Sequence, residues 1–196
     1  RIKEYENAHK LYEKFINEFA ETVRFDEALN LEFEIGFKFI TGAKRSLWGL
    51  YILPAVDFGI QIVRKTLDKY PYAKPSEVYH LKLADYLFSK GRYDESLEQY
   101  ESFVRTYPQS QSVPLAKYRI ARSYIMDYQG SDYEITPLLD AKRAVQELLE
   151  RHPDTQIRPE AENLRDEIVN RQAERDFKVG IFYSKTGKPQ AARIYF

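Results

Sequence analysis

The chain is predicted to be all-α, a stack of antiparallel helical hairpins, and three observations predict it. Related tripeptides recur as "KYP" at Lys69–Pro71, "TYP" at Thr106–Pro108 and "RHP" at Arg151–Pro153. Each follows apolar residues spaced at helical period, and a proline ends a helix because it lacks an N–H and disfavours helical geometry in the residue before it. Small residues also keep a register. Ala8, Gly59, Ser96, Ala141 and Ala192 recur in what would be second helices, each followed four positions later by Tyr12, Val63, Tyr100, Val145 or Phe196. Gly36, Ala84, Ala121 and Gly180 recur in the first helices. Small residues at these places let the two backbones of a hairpin approach.

Taken in order, residues 1–19 read as the second helix of a truncated repeat. Helices near 26–41 and 54–70 make the next pair, 76–89 and 93–107 the third, and 112–128 and 137–151 the fourth. A long helix near 158–186 and a start at 188 make the last. The clearest unit is Ser76–Pro108, with Leu83, Ala84 and Leu87 on one helix face, Gly91 at the turn, and Tyr93, Ser96, Tyr100 and Phe103 on the second helix. This is the tetratricopeptide pattern, a helical hairpin of about 34 residues. The expectation is a single solenoid over 1–196, with the truncated repeat 1–19 and repeats at about 26–71, 76–108, 112–153 and 158–196. Such a stack buries a continuous core and curves around a concave groove.

Three places depart from the repeat. The fourth pair has extra residues around "YQGSDYEITP", and the last begins with the overlong "RPEAENLRDEIVNRQAERDF". The second pair is interrupted by "RSLWGLYILPAV", Arg45–Val56. Its uncharged run is shorter than the roughly 20 apolar residues of a spanning helix. It reads as neither a membrane span nor a strand, with Pro54 in the first turn of the next helix. Trp48, Leu50, Tyr51, Ile52 and Leu53 then either fold back over their own hairpin or stay exposed as a contact patch.

The composition narrows the function. The chain has 196 residues, no net charge, 43% hydrophobic residues, 16 Tyr and no Cys. Balanced charge argues against non-specific nucleic-acid binding, and without Cys there is no disulfide or thiolate chemistry. His9, His80 and His152 fall in three different repeats, and His152 takes a position filled elsewhere by Tyr70 and Tyr107. No catalytic or nucleotide-binding motif is present, so no catalytic residue, metal or cofactor is expected. No signal peptide or lipidation motif is read, and both ends carry helical patterns, which suggests a piece of a longer protein.

Binding is the activity that remains. In these hairpins the first helix lines the groove, at positions three before and one after the small residue. Those positions are Phe33 and Phe37, Leu81 and Asp85, Tyr118 and Arg122, and Phe177 and Ile181. Aromatics and Arg are common anchors of protein interfaces. Phe33 and Phe37 either face the groove or fill the junction with helix 1–19. Arg171, Arg175 and Asp176 are either solvated charge or a docking surface.

The ending "ENLRDEIVNRQAERDFKVGIFYSKTGKPQAARIYF" resembles the last complete repeat of the BamD family, the lipoproteins of outer-membrane β-barrel assembly. The match lies in Ala173-Glu174, Phe177, Gly180, Phe182-Tyr183, Gly187 and Ala191-Ala192. "GRYDESLEQYESFVRTYPQSQSVPLAKYRIARSYI" is similar to the family's central repeats. The resemblance implies a non-enzymatic adaptor at the periplasmic face of the bacterial outer membrane, held there by a lipid anchor outside this chain. It implies two protein partners, the barrel-forming BamA-like subunit and nascent outer-membrane proteins, which commonly end in an aromatic residue. Phe33, Phe37, Tyr118 and Arg122 would then form the client groove, with Arg122 meeting a carboxylate. Arg171, Arg175, Tyr183 and Lys185 would face the barrel subunit. Trp48 and Tyr51, in an insertion that departs from the family, are partner contacts where that insertion stays exposed. A generic tetratricopeptide scaffold of the cell-division coordinator type is the alternative.

Overall fold

The computed structural model describes residues 2–47, 50–128, 130 and 134–196, and at 2, 3, 44–47 and 50–54 the backbone alone. The elements are α1 (Ile2–Glu18), α2 (Phe25–Ile40), β1 (Lys44–Leu47), β2 (Leu50–Pro54), α3 (Val56–Lys69), α4 (Ser76–Ser89), α5 (Tyr93–Thr106), α6 (Val113–Asp127), α7 (Thr136–Arg151), α8 (Arg158–Lys185) and α9 (Pro189–Tyr195). Helices adjacent in sequence pack together as antiparallel hairpins of the tetratricopeptide kind, as α2 with α3, α6 with α7 and α8 with α9. The chain groups into two compact units, residues 1–83 and 84–196.

The small-residue register has a direct physical cause. In unit 1 a Cβ on Gly59 would lie 2.5 Å from the Gly36 carbonyl oxygen, and one on Gly36 would lie 2.7 Å from Val63 Cγ2. The α2 and α3 backbones therefore touch, and side chains are excluded at both places. In unit 2, Ala121 of α6 and Ala141 of α7 are fully buried in one cluster with Val145, Leu148, Leu164 and Ile168. Ser96 of α5 and Ser123 of α6 are also buried, with their hydroxyls 3.2 Å apart. Each hydroxyl also donates to a carbonyl on its own helix, Tyr93 and Arg119 respectively, so no small polar group is left unmet.

The proline tripeptides mark helix ends of one shape. α3, α5 and α7 close on Tyr70, Tyr107 and His152, whose φ values are −131°, −123° and −132° and whose ψ values are 56°, 58° and 61°. Each of these carbonyls then accepts a bond from the N–H three residues on, at Ala73, Ser110 and Thr155. Those residues in turn accept from Ser76, Val113 and Arg158, which start or adjoin the next helix. The same double turn runs from Phe19 through Thr22 to Phe25, with no proline in it.

Inside the hairpins, Gly91 and Gly187 turn the chain at φ 72°, a conformation that disfavours residues with a Cβ. The backbone bonds Arg92 N–H to Leu87 O and Lys188 N–H to Tyr183 O span those two turns, and Ala43 N–H to Lys38 O repeats the pattern after α2. The insertion thus begins only after α2 has ended in the way a hairpin helix ends.

The insertion corrects the sequence reading. It forms an antiparallel pair of strands, Lys44 opposite Pro54, Arg45 opposite Leu53, Ser46 opposite Tyr51 and Leu47 opposite Leu50, with an irregularity between Arg45 and Ser46. Tyr and Ile favour extended backbone, and Pro54 closes β2 rather than opening α3. A proline is tolerated there because the sheet has two strands and so only edges. Trp48 and the Tyr51 side chain lie outside the described residues.

Candidate functional site

The expected groove positions fall into each unit separately. In unit 1, α2 brings Phe33 and Phe37 toward Tyr79 of α4. The Phe33 and Tyr79 rings stack at 4.6 Å with 16° between planes, and Phe37 meets Tyr79 at 5.7 Å and 43°. Phe33 is 0% exposed and Phe37 is half-buried. Phe33 is therefore corrected from a groove anchor to a core residue. At the α1 junction Phe39 and Ile35 pack with Tyr5, Ala8 and Tyr12. Leu81 is half-buried.

In unit 2 the carboxylate of Asp85, an exposed residue on α4, is held from two sides. The hydroxyl of Tyr100, on α5, donates to its Oδ1, and Arg119 Nε of α6 lies 3.8 Å from the same oxygen. Tyr100 is fully buried, and burial together with the Asp85 carboxylate pushes its phenol far above the usual range. It stays a donor at any physiological pH. The Arg119 guanidinium also lies 5.5 Å over the Phe88 ring.

Tyr118 and Arg122 share one face of α6, one turn apart. Tyr118 is half-buried and packs on the cluster of Ala121, Leu148 and Leu164. Arg122 is half-buried, and its Nε is buried with no hydrogen-bond partner. Among the described residues no carboxylate pairs with it. A half-buried, unpaired Arg one turn from an aromatic residue suits a carboxylate brought by another molecule.

The far surface of unit 2 is organised differently. Arg171 pairs with Glu167 at 2.8 Å, and Arg175 with Asp176 at 3.3 Å. Arg175 is 21% exposed and its Nε is buried without a hydrogen bond. Tyr183 stacks on Tyr195 at 5.7 Å and 21°, with Lys188 Nζ 6.0 Å from its ring, and Lys185 is exposed. Phe177, Phe182, Ile194 and Phe196 are more than half exposed, so α8 and α9 present large apolar side chains to solvent at this end of unit 2.

A cavity of about 290 Å³ lies between α5, α6 and α7. Its charges are satisfied internally: Lys117 with Glu147 at 2.6 Å, Arg143 with Asp140 at 3.2 Å, and Arg105 with Glu101 at 3.7 Å. The Lys117 hydrogen bond holds the Glu147 carboxyl below its usual range, and burial lowers the His152 imidazole. Only the Lys117–Glu147 pair joins two helices, α6 and α7; the other two lie within α7 and α5.

The hold of Tyr100 and Arg119 on Asp85 was missed in the sequence, although a signal existed. A Tyr at a fully buried repeat position needs an acceptor for its hydroxyl. Among the described residues, no group of three or more His, Cys, Asp or Glu side chains is placed to hold a metal ion. No described helix is long and apolar enough to cross a membrane.

Comparison with known proteins gives one family. The family model described as YfiO, outer membrane lipoprotein, matches residues 56–194, from the first residue of α3 into α9. No curated protein matches the chain.

Proposed function

Because the chain belongs to the YfiO family of outer membrane lipoproteins, we propose that it is a non-enzymatic adaptor in the assembly of outer-membrane β-barrel proteins. It works at the periplasmic face of the membrane and joins nascent barrel proteins to the barrel-forming BamA-like subunit. The observation that carries the client half is Arg122, a half-buried residue one turn from Tyr118 with no carboxylate of its own among the described residues. A client ending in an aromatic residue offers both a terminal carboxylate for Arg122 and a ring for Tyr118. The barrel-subunit half rests on the exposed apolar surface of α8 and α9 and the arginines that flank it.

The test is binding of a peptide ending in Phe, followed by fluorescence anisotropy. Arg122→Gln is expected to weaken it by about tenfold or more, in line with loss of one charge-assisted contact. The same peptide with an amidated C-terminus should lose a similar factor on the native chain and nothing further on Arg122→Gln. Equal binding of acid and amide by the native chain would remove Arg122 from the client site. For the second partner, Phe182→Asp is expected to abolish co-purification with the barrel subunit while leaving the circular dichroism intact.

A further inference from the structure

A second cavity, of about 240 Å³, lies in unit 1 where α1 crosses the α2–α3 hairpin. One face of α1 presents His9, Glu13 and Asn17 at i, i+4 and i+8, and α3 presents Gln61, Lys65 and Lys69 at the same spacing. Two rungs of this ladder are closed, since Lys65 donates to Glu13 and Lys69 donates to Asn17. The third is not, because His9 turns to α2 and places Nδ1 2.6 Å from Glu32 Oε1. Ile16, Phe58 and Ile62 supply the apolar part of the wall.

The two ends of this cavity carry unmatched chemistry. Glu32 is 3% exposed, yet its Oε2 has no hydrogen-bond partner. A buried acceptor left unmet is costly, and more so when it belongs to a charged group. At the other end, Lys69 bonds to a neutral amide oxygen and lies 5.2 Å from the Tyr70 ring centroid. Among the described residues it makes no ion pair. The helical rise from His9 to Asn17 separates these ends by about 12 Å. The last torsion of a Glu side chain is soft, so the carboxylate can turn an oxygen to the wall it already lines, exchanging its His9 bond for one to a ligand.

We propose that this cavity binds an extended zwitterion, with a protonated amine against Glu32 and a carboxylate toward Lys69. The apolar stretch between them lies along Ile16, Phe58 and Ile62. Both ω-amino acids and the two ends of a short peptide have this chemistry. Five of the lining residues, His9, Glu13, Ile16, Asn17 and Glu32, precede the region matched by the family model. The site is thus separate from Tyr118 and Arg122, and its failure leaves the adaptor reading standing.

The experiment is an amide chemical-shift titration of the whole chain with ω-aminooctanoate, trialanine, octylamine and octanoate. Saturable shifts along α1 and α3 are expected with ω-aminooctanoate, with octylamine and octanoate weaker by about tenfold or more. Shifts with trialanine as well would assign the site to a peptide, and their absence would assign it to a free ω-amino acid. Glu32→Gln and Lys69→Gln should each weaken ω-aminooctanoate by about tenfold. Lys69 is an exposed residue whose replacement is expected to leave folding intact, which keeps the test decisive if Glu32→Gln fails to fold. Octylamine binding as tightly as ω-aminooctanoate, no saturable shift at millimolar ligand, or indifference to Lys69→Gln would overturn the proposal.

Discussion

α1 in unit 1 and α8 in unit 2 both lie along a hairpin, and they adhere by different forces. α8 sends Ala161, Leu164 and Ile168 into a dry cluster with Val145 and Leu148, all of them at most 2% exposed. α1 buries Ile16 and lays Tyr5, Ala8 and Tyr12 partly against Phe39. The rest of its seat is polar: His9 to Glu32, Lys65 to Glu13, Lys69 to Asn17, and the Tyr70 hydroxyl to the Ile16 carbonyl at 3.3 Å. Apolar burial scales with area and is little affected by pH or salt, whereas exposed ion pairs are weak and screened. One repeat architecture thus holds one long helix firmly and the other conditionally.

The largest way to break this contrast is at the hairpin beneath α1. Gly59→Val places a side chain where a Cβ would already be 2.5 Å from the Gly36 oxygen. Backbone stands on both sides and cannot yield, so a loss exceeding about 3 kcal/mol is expected. A thermal melt checks it, and an unchanged midpoint would mean the two backbones do not touch.

Phe33→Ala comes next, at about 3–5 kcal/mol, the range for a fully buried Phe. Chemical denaturation reads it directly, and a cost below about 0.5 kcal/mol, usual for surface positions, would return Phe33 to the groove. Leu164→Ala should cost about 2–5 kcal/mol, with the loss of amide protection confined first to α8 and unchanged by added salt.

Acid should act in the opposite place, with the smallest expected effect. The Lys65 hydrogen bond holds the Glu13 carboxyl below its ordinary value. A group whose folded-state pKa is lowered stabilises above its unfolded value and loses that contribution as pH falls through the folded one. Hydrogen exchange below about pH 4.5, the ordinary value for Glu, should therefore quicken in α1 before α8. High salt at neutral pH should do the same more weakly. Simultaneous loosening of both helices would erase the distinction.

Most of the fold was legible because its signals are local. A proline ends a helix whatever surrounds it, and Gly36, Gly59, Ala121 and Ala141 sit where hairpin geometry needs little or no side chain. The Phe19–Phe25 turn escaped notice because it makes the same bonds without the proline. The strands of 44–54 were missed because a short uncharged run has no period that separates strand from loop. The candidate site was harder. Phe33 is an aromatic at a groove position by spacing, but burial there depends on Tyr79, more than forty residues away in sequence. Arg122 was picked out because a mid-helix Arg is poor core material, and its lack of a partner needed coordinates. Glu32 carried no mark in sequence, being one acid among 30.

The double turn that links one hairpin to the next recurs at 19–25, 70–76, 107–113 and 152–158. At Tyr70, Tyr107 and His152 the backbone angles agree to within about ten degrees, so these connectors are interchangeable parts. Cutting after Tyr70 and rejoining at Pro108 would delete one whole hairpin and still present a helix end and a helix start at the angle each already has. A chain with such joints can lengthen or shorten by whole hairpins without any linker being redrawn, while the bricks stay the same.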